Sequence, residues 1–167
     1  MKKFILFCGF IGLGLANIYI SYDIDAKYHY SWEEDDYYYA GSTTSPLDGA
    51  LTLGYETNPK NKISFGLSYD VIGVEDSDGT VGKLLNVYLK YTSPINSSNS
   101  MFGTLGYNLP QEDFKDWDWD AGVSYSIGFV VSRNLSISYI INNISRSEIG
   151  YGDEEIALKR LTISYYL

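Results

Sequence analysis

Hydrophobic and polar residues alternate strictly between Asn17 and Trp32. Every even position from Ile18 to Trp32 is apolar or aromatic, and six of the seven odd positions after Asn17 are polar. Successive side chains of a β-strand point to opposite faces, so this period of two predicts a strand with one apolar and one charged face. Sixteen residues exceed a usual globular strand, and they suffice to cross a bilayer and project beyond it.

The same alternation returns along the rest of the chain. It predicts seven further strands, at 47–56, 63–71, 85–91, 101–108, 117–129, 135–142 and 156–167. The connection 33–46 is predicted to be a long polar loop, and shorter acidic loops are predicted at 75–79, 111–116 and 145–155. The other three connections are turns rich in Asn, Ser or Pro. We therefore predict an all-β fold, an eight-stranded antiparallel up-and-down transmembrane β-barrel with one acidic rim.

The direction in which the apolar face points decides between two environments. In a soluble lipocalin-like barrel the apolar face lines the core, whereas in a transmembrane barrel it faces lipid. An even strand number and aromatic residues near the strand ends favour the membrane. The predicted outward aromatic girdle comprises Tyr28, Tyr30, Trp32, Tyr55, Tyr69, Tyr91, Tyr107, Trp117, Trp119, Phe129 and Tyr165. The predicted lumen charge network comprises Asp23, Asp25, Lys27, Asp48, Asp70, Lys90, Asp120 and Arg160.

Residues 1–16 form a separate unit. Lys2 and Lys3 precede an apolar run that ends in Gly14-Leu15-Ala16, the layout of a secretory signal peptide. Cleavage is predicted before Asn17, which would leave the barrel at 17–167. The only cysteine, Cys8, lies in the leader, so we expect no disulfide in the exported chain.

The charge balance argues against nucleic acid as a partner. Twenty-one acidic and twelve basic residues give a net charge of −9, and binding to a phosphate backbone requires a basic patch, which this sequence does not contain. Seventeen tyrosines and sixteen glycines suit pleated strands, turns and bulges.

Two segments carry a resemblance to a known family. The stretches Ser126–Phe129 and Arg133–Tyr139 resemble the penultimate hairpin of small outer-membrane β-barrels of the OmpA-domain, OmpX and opacity-protein type. Leu161–Leu167 resembles their closing strand, although that family usually ends in an aromatic residue. The resemblance implies export to the bacterial outer membrane, insertion by the barrel-assembly machinery, and contact with outer-membrane lipid and lipopolysaccharide. Because eight closed strands leave no free edge, we expect a monomer.

The sequence offers two weak candidates for chemistry. His29, Ser31 and Glu33 share one strand face, and the length and layout are also similar to those of small outer-membrane lipid A deacylases, which use a His-x-Ser pair with an acid. We favour the simpler reading of a histidine that fills the upper lumen. Asp76 and Asp78 begin a stretch similar to a calcium loop, but the downstream acid is missing. No cofactor and no dedicated metal site are predicted, although the acidic loops could hold divalent cations loosely.

We therefore predict a non-enzymatic outer-membrane barrel with a structural or surface-interaction role through acidic, Tyr-rich loops. The alternatives left open are a lipid A-modifying hydrolase that uses His29 and Ser31, a small-conductance pore, and a soluble lipocalin-like binder. Side chains can fill the interior of an eight-stranded barrel, which argues against a wide pore.

Overall fold

A computed structural model describes residues 16–34, 39–57, 62–76, 79–96, 99–112, 114, 118–148 and 152–167. Its strands are β1 (Ala16–Glu34), β2 (Tyr39–Leu47), β3 (Leu51–Thr57), β4 (Ile63–Ile72), β5 (Val74–Asp76), β6 (Gly79–Pro94), β7 (Ser100–Gln111), β8 (Gly122–Val130), β9 (Leu135–Glu148) and β10 (Gly152–Tyr166). Among the described residues, no helix is long and apolar enough to cross a membrane.

Pairing of β10 with β1 closes the sheet into a barrel, from Tyr19 opposite Tyr166 to Glu33 opposite Asp153. We call the end that contains Glu33 the upper end. The other edge of β1 pairs with β3 in its lower half and with β2 in its upper half. β2 and β3 thus share one position in the barrel, and β4 and β5 share the next. The ten strands fill eight antiparallel positions, which confirms the predicted eight-stranded barrel.

Several predicted boundaries at the upper end are wrong; β6, for example, begins at Gly79 and not at 85. Residues 39–46, predicted as part of a loop, belong to β2, which pairs with the upper half of β1. β9 and β10 extend through much of the predicted loop 145–155. The strand predicted from 117 begins only at Gly122, because Asp118 has a φ of 57° that turns the chain. Backbone pairing, which side-chain alternation does not report, sets these ends.

An apolar belt surrounds the middle and lower barrel. Its side chains point outward from every barrel position and are about half exposed. They include Ile18, Ile20, Tyr22, Leu53, Phe65, Val87, Leu89, Leu105, Tyr107, Ile127, Phe129, Tyr139 and Tyr165. The face behind the belt is polar, with buried Ser21, Thr52, Ser64, Ser124, Ser136, Ser138, Thr162 and Ser164. Apolar outside and polar inside is the arrangement of a barrel that stands in lipid.

The upper barrel reverses this arrangement. A buried apolar cluster, which we call the upper core, fills its interior. The upper core consists of Ala26, Leu47, Ala50, Val74, Leu84, Phe114, Trp119, Ile144, Ile156 and Leu158. Outward neighbours at this level are polar, such as Lys27 and Asp48, which are exposed. Apolar inside and polar outside is the arrangement of a protein in water.

Irregularities in neighbouring strands mark the level at which the two arrangements meet. The β1–β10 register shifts between Asp23 and Asp25. Such a bulge inserts one residue, so every side chain above it changes face. The strand next to β1 is interrupted between Leu47 and Leu51, and the β3–β4 register shifts between Leu51 and Thr52. The reversal on this side of the barrel is therefore built into the backbone.

In the belt region, glycines opposite two tyrosines make room for tyrosine rings inside the barrel. Tyr19 lies opposite Gly54, and Tyr88 lies opposite Gly66. A Cβ on either glycine would overlap the tyrosine ring. The missing side chains therefore allow two large rings to lie flat against the barrel wall and reach the lumen.

Candidate functional site

The buried charged residues of the described chain lie inside the barrel, in two clusters. The upper cluster centres on Arg160, which lies inside at the boundary with the upper core. Its Nε donates to Asp23 Oδ2 at 2.6 Å, and its Nη2 donates to Asp70 Oδ1 at 3.0 Å. All three side chains are at most 6% exposed. One guanidinium thus bridges β1, β4 and β10 across the lumen.

Further hydrogen bonds satisfy both carboxylates of the upper cluster. Thr162 Oγ1 donates to Asp23 Oδ1 at 2.7 Å, and the amide of Ala50 donates to Asp23 Oδ2 at 3.1 Å. Thr52 Oγ1 donates to Asp70 Oδ1 at 2.7 Å, and the amide of Leu84 donates to Asp70 Oδ2 at 3.2 Å. Buried charges need such partners, because each one has lost its hydration.

The lower cluster joins Lys90 to Glu56, a residue that the sequence analysis missed. Lys90 Nζ lies 3.0 Å from Glu56 Oε2, and each side chain is 3% exposed. Tyr88 and Tyr166 both donate to Glu56 Oε1, at 2.9 and 3.2 Å. Lys90 Nζ also lies 4.3 Å from the ring centre of Phe102, within cation–π range. Glu56 falls on the polar face of a predicted strand, and this alternation was the signal that could have identified it.

A small polar cavity of about 60 Å³ is lined by residues of both clusters. Glu56, Tyr88, Arg160 and Asn142 line it, together with several serines. Its volume and its polar lining suit a few water molecules rather than an organic ligand. The interior is therefore closely filled, and the side chains cross it at two levels.

Half of the predicted lumen charge network lies elsewhere. Asp23, Asp70, Lys90 and Arg160 point inward, but Asp25, Lys27, Asp48 and Asp120 are exposed, and their assignment to the lumen was wrong. Asp25 and Lys27 follow the β1 bulge and form a solvent-facing ion pair at 3.5 Å. Asp48 lies in the interruption between β2 and β3, and Asp120 lies just before β8. Bulges and strand ends break the alternation on which the prediction relied.

The predicted aromatic girdle is also divided. Tyr55, Tyr69, Tyr91, Tyr107, Phe129 and Tyr165 lie on the outward face of the belt. Tyr28 and Tyr30 instead pack against the upper core, and Trp32 stacks on Tyr30 with ring centres 5.4 Å apart. Trp119 is buried in the upper core. The outward assignment of these four residues was wrong, because the bulge and the turn before β8 reverse their faces. Trp117 lies outside the described residues.

A polar group stabilises the upper core from above. Tyr30 Oη donates to Glu154 Oε1 at 2.6 Å, and Arg146 pairs with Glu154 Oε2 while lying over the ring of Trp119. Burial and the bond to Glu154 raise the pKa of Tyr30 to about 12. The hydrogen bond from Arg146 lowers the pKa of Glu154. The arrangement fastens β1, β9 and β10 together above the belt.

The predicted hydrolytic residues do not form a linked group in the described chain. His29 points outward, with Nδ1 2.9 Å from Thr44 Oγ1, so the prediction of a lumen histidine was wrong. Ser31 lies two residues further along the same face. The side chain of Glu33 lies outside the described residues, as do those of Asp76 and Asp78. Among the described residues, no group of three metal-ligating side chains occurs.

Comparisons with known proteins agree with this architecture. Neisserial surface protein A, NspA, matches with 10% identity over 91% of this chain and 99% of its own, at a TM-score of 0.50. The fold is that of the small bacterial outer-membrane β-barrels. OprG from Pseudomonas aeruginosa (13% identity, 92% and 96% coverage, TM-score 0.43) and Ail of Yersinia pestis (16%, 91% and 97%, 0.40) also match. No family model matches, and no curated protein matches. The likeness is one of fold, which agrees with the belt and polar lumen.

Proposed function

We propose that the chain is a closed, non-enzymatic barrel of the bacterial outer membrane, with a structural or surface-interaction role through its upper loops. The observation that carries the proposal is the double obstruction of the interior. The Arg160 cluster crosses the lumen, and the upper core fills the space above it. A pore would need a continuous polar path, which these two features interrupt.

The location follows from the outward belt. About half of each belt side chain is exposed, so in water the barrel would present an apolar surface all round its wall. Lipid removes that surface from water, and closure of the sheet by β1 and β10 lets neighbouring strands of the belt pair their backbone groups with each other. Outer-membrane lipid and lipopolysaccharide are therefore the proposed surroundings, with insertion by the barrel-assembly machinery.

The proposed contact surface is the upper end. The sequence analysis predicts four acidic connections at this end, and the upper core with its Tyr30–Glu154–Arg146 group would hold them above the lipid. A rigid apolar core beneath the loops suits presentation of a fixed surface better than gating. Divalent cations are proposed as loosely held counter-ions of these loops, and the sequence names no protein partner.

Cysteine labelling on intact cells tests location and orientation together. Thr43→Cys places a thiol on an exposed position of the upper end, and Arg133→Cys places one in an exposed turn at the opposite end. A membrane-impermeant maleimide should label the first on intact cells and the second only after lysis, with the unsubstituted chain as the background. Equal labelling of both positions before lysis would contradict the proposed orientation.

Planar-bilayer recordings test the closed interior. The purified protein should give no stepwise conductance, because the charge cluster and the upper core obstruct the lumen in series. Reproducible steps from the unsubstituted protein would favour the small-pore alternative.

A further inference from the structure

The buried charges of the described residues do not sum to zero. Three carboxylates and two cations leave a net charge of −1 inside the barrel, from Asp23, Glu56, Asp70, Lys90 and Arg160. Lys90 and Glu56 neutralise each other in the lower cluster, so the surplus carboxylate lies in the upper cluster. An uncompensated charge that has lost its hydration costs free energy. The interior therefore needs one more positive charge than these side chains supply.

Hydrogen bonding argues against a proton as the missing charge. Asp23 and Asp70 together accept seven hydrogen bonds, at least one on each carboxylate oxygen. Five of the seven come from backbone amides or from the Arg160 guanidinium, which donate and cannot accept. A protonated carboxyl group would itself be a donor, so this surrounding favours two ionised side chains.

The polar cavity adjoins the upper cluster and contains an unused acceptor. Arg160, Thr52 and Thr162 line the cavity, and so does Asn142. Asn142 is 1% exposed, and its Nδ2 donates to Asn108 Oδ1 at 2.8 Å. Its Oδ1 has no hydrogen-bond partner among the described residues. Because buried polar atoms are almost always paired, this oxygen points to a ligand that is not part of the chain.

The lining of the cavity suits a small cation. Nine serine and threonine residues line it together with Asn142, and neutral oxygen atoms of this kind can replace the hydration shell of an alkali cation. The volume of about 60 Å³ accommodates one such ion with a few water molecules. A single surplus charge matches a monovalent ion, whereas a divalent ion would leave an excess of positive charge.

We propose that the barrel interior binds one monovalent alkali cation, sodium or potassium, in the cavity between the upper and lower clusters, with Asn142 Oδ1 and neighbouring hydroxyl oxygens as ligands. The cation supplies the charge that the upper cluster lacks and uses the acceptor that the chain leaves free. Water alone would satisfy Asn142 but not the charge. The stability of the barrel should therefore depend on which monovalent cation is present, and not only on the ionic strength.

Thermal unfolding in three salts tests the proposal. The purified protein is refolded in detergent micelles in sodium, potassium or N-methylglucamine chloride, each at about 150 mM. N-methylglucamine keeps the ionic strength but is too large for the cavity. We expect the unfolding midpoint, read from gel mobility, to be about 3 °C or more higher in sodium or potassium chloride. Equal midpoints in all three salts would overturn the proposal and leave water as the content of the cavity.

Two substitutions that each remove one negative charge assign the effect to the interior. Asp70→Asn removes the surplus buried charge while keeping the shape of the side chain, so its midpoint should be the same in all three salts. Asp25→Asn, the matched control, removes an exposed carboxylate and should keep the full difference. Loss of the difference in the control, or its persistence in Asp70→Asn, would contradict a site inside the barrel.

Diffraction from the unsubstituted protein keeps the proposal testable if Asp70→Asn does not fold. Crystals grown with rubidium or thallium(I) in place of potassium should show an anomalous peak in the cavity, in contact with Asn142 Oδ1. Absence of a peak from the barrel interior would contradict the proposal. A peak only at exposed carboxylates would identify an adventitious ion only, and would contradict it equally.

Discussion

The belt region and the upper barrel use the same continuous strands in opposite ways. In the belt, β10 presents Leu161, Ile163 and Tyr165 outward and buries Thr162 and Ser164. Above Arg160, the same strand buries Leu158 and Ile156 and turns Lys159 outward. In each half of the strand, the outward side chains match the surroundings of the barrel wall. They are apolar below, where the wall meets lipid, and polar above, where it meets water.

Two different devices produce this reversal. In β1 an extra residue at the Asp23–Asp25 bulge changes the face of every later side chain, so the apolar residues keep their even numbers but turn inward. In β10 the backbone alternation continues unbroken, and the residue pattern itself slips at the polar pair Lys159-Arg160. The comparison shows that odd or even position in the sequence does not by itself predict which side chains point inward. The register of the strand with its neighbour is also needed.

Deleting Ile24 should have the largest effect on this comparison. Without the extra residue, Ala26, Tyr28 and Tyr30 would turn outward, and the upper core would lose one wall. We expect the upper end to become protease-sensitive and the barrel to lose more than about 4 kcal/mol of stability, an exceptional value for a single change. Ile24→Val keeps the chain length and should behave like the unsubstituted protein in limited proteolysis. Protease resistance of the deletion variant would show that the bulge does not set the faces.

Arg160→Leu should destabilise the barrel by about 3 to 5 kcal/mol, because it leaves Asp23 and Asp70 buried without their cation. Urea unfolding in detergent micelles, followed by gel mobility, measures this loss. Lys159→Leu makes a similar replacement one residue away on the outer face and should change stability by less than about 1 kcal/mol. Comparable losses in the two variants would mean that the buried cluster adds little beyond a surface charge.

Leu158→Ala should cost about 2 to 5 kcal/mol by leaving a cavity in the upper core. Ala157→Ser, on the outward face of the same strand, should be within about 0.5 kcal/mol of the unsubstituted protein. Both are measured by urea unfolding in micelles. If the two variants unfold at the same urea concentration, the upper core is not packed as a protein interior.

The smallest expected effect is that of pH on the upper end. The pKa of Glu154 is lowered by its hydrogen bond with Arg146, so the stabilisation is present above the unfolded-state pKa of about 4.3. It should be lost as the pH falls through the lowered folded-state pKa. Hydrogen exchange of the upper β9–β10 hairpin between about pH 6 and about pH 3 should show faster opening at the acid end, worth about 1 kcal/mol or less.

Glu154→Gln supplies the control for the pH experiment. It removes the titrating carboxylate while keeping a side chain of similar size beside Tyr30 and Arg146. We expect its exchange to lose most of the acid dependence in this hairpin. An unchanged acid response would assign the effect to other carboxylates.

The alternation of residues was sufficient to predict the belt. From Ile18 to Ile24 and from Val123 to Phe129, each outward side chain is the one that the period of two indicates. The upper charge cluster was partly predictable, since Asp23, Asp70 and Arg160 fall on polar faces of their strands. Glu56 also falls on the polar face of its strand, but it was omitted because it is the last residue of the predicted strand, next to a turn.

By itself, then, the sequence determined the strand number, the closed antiparallel barrel and the apolar belt, because these follow from a local period that every strand repeats. Only the tertiary structure decided which way Tyr28, Tyr30, His29 and Trp119 point, and which charges meet. Those outcomes depend on a one-residue shift between neighbouring strands and on the partners across the lumen. Both are set by pairing between distant parts of the chain, which the local pattern of residues does not record.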